Sequence, residues 1–166
     1  RDRQRALDDA ARVELAWVDL ERRALLDWLS TRPDADPRRL GVCGWCFGGH
    51  VALRAALDPA VRAAACCYPT GVHNNTLGAA QGTADTLARV SEIQGEVLLV
   101  WGTRDPHIPP QGRSAIHRAL EEHAVRYEAR LYDAEHTFMR DEGARYDPLA
   151  ADQAFEAMAQ LFARRL

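Results

Sequence analysis

A cysteine flanked by glycines, at residues 44–49, constrains the fold of this chain more than any other stretch of the sequence. These residues read Gly-Trp-Cys-Phe-Gly-Gly and lie between a short apolar run, Leu40 to Cys43, and a helix-like segment, His50 to Leu57. A strand that turns directly into a helix strains the residue at the turn, and side chains two positions before and after it would collide. The motif therefore predicts a strand, a sharp turn that presents the thiol of Cys46, and a helix whose positive N-terminal end favours the thiolate.

Strand-like and helix-like segments alternate along the rest of the chain. The apolar run Glu96 to Trp101 is typical of a parallel strand that is covered on both faces. Further strands are predicted at Val61 to Tyr68 and at Arg126 to Tyr132. Periodic apolar residues predict helices from about Arg5 to Leu29, from Asp85 to Ile93, from Ser114 to His123 and from Leu149 to Leu166. The alternation predicts an α/β domain with a parallel sheet.

Composition narrows the class of function. The chain has 166 residues, of which 47% are hydrophobic, so we expect a single domain with one core. A formal charge of −3 without a basic stripe argues against nucleic-acid binding. No apolar run approaches the ~18 residues of a membrane span, and four cysteines without a secretory segment favour a reducing compartment. We therefore expect a cytoplasmic protein that acts on small molecules and has no nucleic-acid or membrane partner.

Two more side chains are predicted to join Cys46 at one edge of the sheet. In open α/β sheets, reactive groups gather outside the carboxyl ends of the strands. Asp105 follows the apolar third strand and His136 follows the fourth, and this order of nucleophile, acid and histidine is that of the α/β-hydrolases. His136 would take the thiol proton and later protonate the leaving group, while Asp105 would orient the imidazole. The backbone N–H of Phe47 would supply one donor of an oxyanion hole.

The sequence around these residues resembles the dienelactone hydrolase (carboxymethylenebutenolidase) family. Three stretches carry the resemblance: residues 44–49, residues 101–109 (Trp-Gly-Thr-Arg-Asp-Pro-His-Ile-Pro) and residues 135–140 (Glu-His-Thr-Phe-Met-Arg). The resemblance, which runs from about Leu15 to the C-terminus, implies a cofactor-free cysteine hydrolase. Such an enzyme opens an unsaturated lactone, or cleaves a small ester, through an acyl-enzyme during the degradation of aromatic compounds. It also implies that Arg140 holds a substrate carboxylate, a task that suits the planar guanidinium fork.

Members of this family also carry an N-terminal half. That half holds the first strands of the sheet, the second oxyanion-hole N–H, an acidic residue near the thiol and a further substrate-binding arginine. Without those strands, the strand that precedes Cys46 would lie at an exposed sheet edge, which natural proteins avoid. We therefore expect residues 1–166 to form a single α/β-hydrolase domain that is truncated at its N-terminus and that has weak or no activity alone.

Some residues near the predicted edge are weaker candidates for substrate binding. Tyr68 ends the second strand and could bind a ligand or simply pack, and His73 lies in the loop that follows. His107, beside Asp105, could also line the site, although a loop histidine is commonly solvated. The remaining cysteines are expected to act as small buried hydrophobic residues; they are Cys43, Cys66 and Cys67.

Two other functions stay open. Residues 43–46 also form a C-x-x-C motif between a strand and a helix, which could be a dithiol redox centre that uses Cys43 and Cys46. Redox chemistry leaves Asp105 and His136 unexplained, which favours the hydrolase. A non-catalytic, incomplete hydrolase module is the second alternative. No second pair of cysteines or histidines has zinc-ligand spacing, so no metal site is predicted. The exact substrate and the oligomeric state are left open by the sequence.

Overall fold

Four parallel strands form a sheet with flanking helices in the computed structural model, which describes residues 2–166. The strands are β1 (Leu40–Trp45), β2 (Val61–Cys67), β3 (Glu96–Gly102) and β4 (Arg126–Tyr132), and they lie side by side in the order of the sequence. All three neighbouring pairs are parallel. Because all four strands run in the same direction, their carboxyl ends lie at the same edge of the sheet.

The helices are α1 (Asp2–Ala11), α2 (Leu15–Ser30), α3 (Phe47–Ala55), α4 (Pro110–Glu122) and α5 (Pro148–Arg165), with a 3₁₀ helix at Leu87–Glu92. Both α4 and α5 begin with proline, which suits the first helical position because no N–H is needed there. The Asp147 carboxylate caps α5 by accepting a hydrogen bond from the Ala150 N–H at 3.0 Å. Within residues 2–166, every helix is too short or too polar to cross a membrane.

The prediction of one helix from about Arg5 to Leu29 was wrong, because the structure divides this region into α1 and α2. The break lies at Val13, whose carbonyl oxygen accepts a hydrogen bond from the Ala79 N–H at 2.9 Å. A carbonyl that binds a distant loop is lost to the helical hydrogen-bond ladder. Apolar spacing shows which face of a helix is buried, but it does not show that a loop residue 66 positions later binds the carbonyl at which the helix ends.

The strand predictions were confirmed, with small differences at the ends. The centre of the sheet is fully covered, since every residue of β3 is buried and only one residue of β2 is exposed. At the two edges the strands remain largely open to solvent, and in β1 only Gly44 is buried. The expectation that Cys43 is buried was therefore wrong, because it lies on this open edge strand, whereas Cys66 and Cys67 in the covered strand β2 are buried. Helix α3 starts at Phe47, three residues before the predicted His50, so the helix begins directly after Cys46.

Candidate active site

Cys46 lies in a strained turn between β1 and α3. Its backbone adopts φ 56° and ψ −120°, a conformation that L-residues rarely occupy and that surrounding contacts must hold in place. The Cys46 N–H donates to the Cys67 carbonyl at 3.0 Å, and the Cys46 carbonyl accepts from the N–H groups of Gly49 and Thr70 at 3.0 and 3.2 Å. Hydrogen bonds from α3, β2 and the loop after β2 therefore fix the turn.

Two glycines allow this turn, and one of them differs from the prediction. A Cβ at Gly44 would lie 2.0 Å from the Gly48 carbonyl oxygen, and one at Gly49 would lie 2.7 Å from the Cys67 carbonyl oxygen. A Cβ at Gly48, by contrast, would meet nothing within 4 Å. The expectation of a collision two residues after the cysteine, at Gly48, was therefore wrong. The backbone of β2 instead approaches the next glycine, Gly49.

His136 contacts the Cys46 sulfur, and Asp105 contacts His136. The Nε2 atom of His136 is 3.1 Å from Cys46 Sγ, and its Nδ1 atom is 2.6 Å from Asp105 Oδ2. The other carboxylate oxygen, Oδ1, accepts a hydrogen bond from the His107 N–H at 2.8 Å. Both His136 and Asp105 are buried. Loops after β1, β3 and β4 thus bring together three residues that are up to 90 positions apart in the sequence.

These contacts perturb the two central groups in opposite directions. Burial alone would raise the pKa of the Cys46 thiol, but the hydrogen bond and charge of His136 outweigh burial and lower it, and the Phe47 N–H and the Thr70 hydroxyl act in the same direction. Burial alone would lower the pKa of His136, but hydrogen bonds to Asp105 and Cys46 raise it to about 9. The arrangement favours a thiolate beside an imidazolium.

A cavity of about 380 Å³ opens in front of the sulfur. Most of its lining is apolar or aromatic, and one lining residue is an arginine; the lining residues are Trp45, Cys46, Tyr68, Thr137, Met139, Arg140 and Phe155. Burial raises the pKa of the Tyr68 hydroxyl, and the Tyr68 ring packs edge-on against His136 with the ring centroids 5.1 Å apart. The structure therefore brings Tyr68 and Arg140 to the same cavity as Cys46.

His73 lies elsewhere, and the residues that line the cavity do not include it. Its ring packs against α4, where a Cβ at Gly112 would lie 2.8 Å from the His73 ring. Burial lowers the pKa of His73. His107, in contrast, lies beside the site, because its ring centroid is 4.7 Å from that of His136.

Sequence reasoning did not single out five residues around Cys46, which are Thr70 beside the sulfur and, in the cavity lining, Trp45, Thr137, Met139 and Phe155. The hydroxyl of Thr70 lies 3.9 Å from Cys46 Sγ, and Phe155 of α5 lines the cavity. Thr70 carries a usable signal, because it comes three residues after β2 and thus at the carboxyl edge of the sheet. Phe155 carries no such signal in the sequence, since an aromatic residue on an amphipathic helix most often belongs to the core.

The strand order, the turn after β1 and the loops after β3 and β4 define an α/β-hydrolase fold. A solved structure from Klebsiella pneumoniae, provisionally described as a dienelactone hydrolase, matches 88% of this chain and 59% of its own at a TM-score of 0.74 and 26% identity. A dienelactone hydrolase-like phosphotriesterase from metagenomic libraries matches 87% of this chain and 59% of its own, at a TM-score of 0.71 and 22% identity.

The sequence profile of the dienelactone hydrolase family matches residues 1–166, and the chain belongs to this family. A Saccharomyces cerevisiae protein provisionally named carboxymethylenebutenolidase is 37% identical over 154 residues, covering 89% of this chain and 56% of its own length. A protein of the same provisional name from Synechocystis is 33% identical over 150 residues, covering 89% and 58%. The chain thus spans a little more than half the length of these relatives.

Proposed function

We propose that this chain carries a Cys-His-Asp triad, Cys46, His136 and Asp105, that hydrolyses a small lactone or ester through an acyl-cysteine. The observation that carries the proposal is the relay itself, in which 3.1 Å and 2.6 Å contacts join the sulfur, the imidazole and the carboxylate. A nucleophile, a base within hydrogen-bond reach and a third group that orients the base are the parts that such catalysis needs.

Acylation begins when the Cys46 thiolate attacks the carbonyl carbon of the substrate. A C–S bond forms, and the carbonyl oxygen becomes an oxyanion that accepts a hydrogen bond from the Phe47 N–H at the start of α3. The intermediate collapses when the C–O bond of the ester breaks. His136, as the imidazolium, gives its proton to the departing oxygen, which stays attached to the acyl chain when the substrate is a lactone.

Deacylation uses the same groups in reverse. Neutral His136 takes a proton from a water molecule as the water attacks the thioester carbonyl carbon. The C–S bond then breaks, the carboxylic acid leaves and Cys46 returns as the thiolate beside the imidazolium. The sum is the addition of one water molecule across one ester bond, and no cofactor takes part in it.

The proposed substrate carries a carboxylate and an unsaturated or otherwise apolar body. Arg140 supports this choice, because it is the one cationic residue among the described residues that line the cavity. The aromatic and apolar remainder of the wall suits a flat, unsaturated lactone of the kind formed in the degradation of aromatic compounds. Four free cysteines fit a reducing compartment, and we place the reaction in the cytoplasm.

The dithiol alternative receives less support. Redox pairs in C-x-x-C motifs lower the pKa of the attacking thiol next to a partner thiol that can resolve the disulfide. Here Cys43 and Cys46 are free, and the partial desolvation of the Cys43 thiol on its edge strand raises its pKa. His136, rather than Cys43, is the partner of the Cys46 sulfur.

Intact-protein and peptide mass spectrometry after incubation with an activated aryl ester tests the proposal. We expect one acyl group, on Cys46, and no acylation in the Cys46→Ala variant. His136→Asn should slow the acylation by about two orders of magnitude or more, because it removes the partner that keeps Cys46 as the thiolate and the acid that protonates the departing oxygen. Acylation at another residue, or a Cys43–Cys46 disulfide that cycles with reductant, would contradict the hydrolase mechanism. A wild-type chain that never acylates would favour a non-catalytic module.

A further inference from the structure

We propose that Thr70 is a further catalytic residue that donates a hydrogen bond to the Cys46 thiolate, and that the buried His50 is the positioning residue that holds Thr70 in place. The inference rests on the proposed function, because it assigns a second side-chain donor to the same sulfur. The family resemblance assigns neither residue a role, and both lie outside the relay of Cys46, His136 and Asp105.

Thr70 contacts the strained turn in two ways. Its N–H donates to the Cys46 carbonyl at 3.2 Å, which helps to hold the turn at φ 56°. Its hydroxyl oxygen lies 3.9 Å from Cys46 Sγ, at the long end of the range for a contact with sulfur. Catalytic hydrogen bonds are often long in ligand-free structures and shorten when charge develops. His136 reaches the sulfur from another element, the loop after β4, at 3.1 Å.

His50 fixes the position of the Thr70 peptide. Its Nδ1 atom lies 3.0 Å from the Thr70 carbonyl oxygen, which can only accept, so Nδ1 carries the proton. Its Nε2 atom lies 3.0 Å from the Thr86 hydroxyl. In neutral His50 this nitrogen is an acceptor, so the Thr86 hydroxyl donates to it. Burial lowers the pKa of His50 to about 4, which keeps the ring in this neutral form.

The chain of donors continues to a buried arginine. Arg54 donates to the Thr86 hydroxyl oxygen at 3.0 Å, which leaves the Thr86 proton free to point at His50. Arg54 is itself held by a two-pronged pair with Asp19 of α2, at 2.8 and 2.7 Å, and by Asp85 at 2.7 Å. Arg54 therefore donates to Thr86, Thr86 to His50 and His50 to the Thr70 carbonyl. Each donor in this chain polarises the next group.

This network explains why a polar residue is buried at position 50. His50 has no exposed surface and Arg54 is only 2% exposed, although apolar residues at these buried positions of α3 would avoid the cost of burying polar groups. A polar network in the core is stable only when its members are satisfied, and this one ends at the peptide that contacts the nucleophile. We infer that its task is to hold Thr70 against Cys46.

The test measures the pH at which Cys46 becomes reactive. Iodoacetamide alkylates thiolates, so the pH dependence of its rate gives the pKa of the thiol. In a Cys43→Ala background, Cys46 is the single thiol of the tryptic peptide formed by residues 40–54, and its alkylation can be followed by mass spectrometry. The charged or titratable groups around the sulfur stay unchanged in every variant; they are His136, Asp105, His107, Tyr68 and Arg140.

Thr70→Val should move the midpoint for Cys46 alkylation upward by about one pH unit, because a hydrogen bond to a charged group is lost. At pH values below the midpoint the rate should fall about tenfold. Thr70→Ser keeps the hydroxyl and should restore the wild-type midpoint. Thr31→Val is the matched control, since it makes the same change at an exposed threonine that caps α2, and it should leave the midpoint unchanged.

His50→Leu should shift the midpoint in the same direction as Thr70→Val, whereas His50→Asn, which keeps an N–H donor near the Nδ1 position, should shift it less. Should His50→Leu fail to fold, Thr86→Val removes the donor to Nε2 and leaves the histidine in place, with an upward shift again expected. A purely structural role for His50 would lower stability without moving the midpoint, and that result would overturn the positioning role.

The outcomes separate this inference from the proposed function. A wild-type Cys46 that is no more reactive at neutral pH than an ordinary thiol would overturn both. A reactive wild-type Cys46 with an unchanged midpoint in Thr70→Val would overturn the role of Thr70 alone and leave the Cys-His-Asp mechanism standing. A shift in Thr70→Val that Thr70→Ser reverses would support the inference.

Discussion

At the scale of single residues, the turn at Cys46 depends on two glycines for steric reasons. Gly44→Ala should destabilise the chain by about 3 kcal/mol, because its Cβ would meet the Gly48 carbonyl oxygen at 2.0 Å and the backbone must move. The same change should abolish rapid alkylation of Cys46, since the shift alters the turn that holds the sulfur near His136. Urea unfolding and alkylation rates measure the two effects.

Gly48→Ala is the matched control. Its Cβ would meet nothing within 4 Å, and alanine favours a helix over glycine by up to about 1 kcal/mol, so stability should stay equal or rise. Equal losses in the two variants would contradict the steric explanation. The comparison also shows why the sequence could not identify the second critical glycine, because Gly48 and Gly49 look alike until the backbone of β2 lies beside one of them.

Arg140 gives a prediction about specificity. Arg140→Met should raise the KM for an ester that carries a carboxylate by about tenfold or more, because a two-pronged ion pair with the substrate is lost. The KM for the matching neutral ester should change little, since methionine keeps an unbranched apolar stem in place of the arginine stem. Steady-state kinetics with the two esters measure the difference.

Arg145→Met serves as the control for Arg140→Met. Arg145 lies in the same loop but pairs with Glu135 at 3.2 Å, and both side chains are largely exposed. The KM for either ester should therefore stay near the wild-type value in this variant. A loss of the same size for charged and neutral esters in Arg140→Met would show that Arg140 shapes the cavity rather than binding a carboxylate.

At the scale of elements, α3 makes stability depend on pH. The pKa of His50 falls from 6.5 to about 4 in the folded chain because the ring is buried. Between these values the unfolded chain binds the proton and the folded chain does not, so stability is complete above pH 6.5 and is lost as the pH falls. His50 should contribute a loss of about 2 kcal/mol between pH 6.5 and pH 5.

Urea unfolding at pH 7 and pH 5 measures this loss in the wild type and in His50→Asn, which has no titrating group at that position. Burial also lowers the pKa of His117, which accepts a hydrogen bond from the indole of Trp101 at 3.1 Å. That contribution is present in both proteins, so their difference isolates His50. The exposed His123→Asn should behave as the wild type. An equal pH dependence in His50→Asn would contradict the prediction.

The elements also show how far sequence reasoning extends. The apolar run of β3 predicted a strand covered on both faces, and all seven of its residues are buried. The order of Cys46, Asp105 and His136 after three strands predicted their common edge, because parallel strands share the direction of their carboxyl ends. The network of His50, Arg54 and Thr86 could not be predicted, since neither a motif nor the end of a strand indicates that Thr86 lies beside α3.

At the scale of the whole molecule, β1 is an edge strand of the sheet, and it pairs with β2 on one side alone within the described residues 2–166. Most residues of β1 are exposed or half-buried, although β1 carries the strained turn at its end. Helix α2 also turns apolar side chains to solvent, and Trp17 and Trp28 are 59% and 54% exposed. An unpaired strand edge beside an exposed apolar helix face is a surface that proteins normally cover. The curated relatives are nearly twice as long as the segment that matches this chain.

The family resemblance implies further strands beside β1 and a second oxyanion donor, and this chain of 166 residues holds neither of them in the described range 2–166. The 166-residue chain alone should then hydrolyse an activated ester with a kcat/KM at least about a hundredfold below that of a full-length relative, since one oxyanion donor is worth that much or more. Cys46 should still be alkylated rapidly, because the contacts that lower its pKa lie within the chain. Steady-state rates for the 166-residue chain, its Cys46→Ala variant and the Saccharomyces cerevisiae relative test this; equal rates for the first and last would show that the open edge at β1 carries no part of the site.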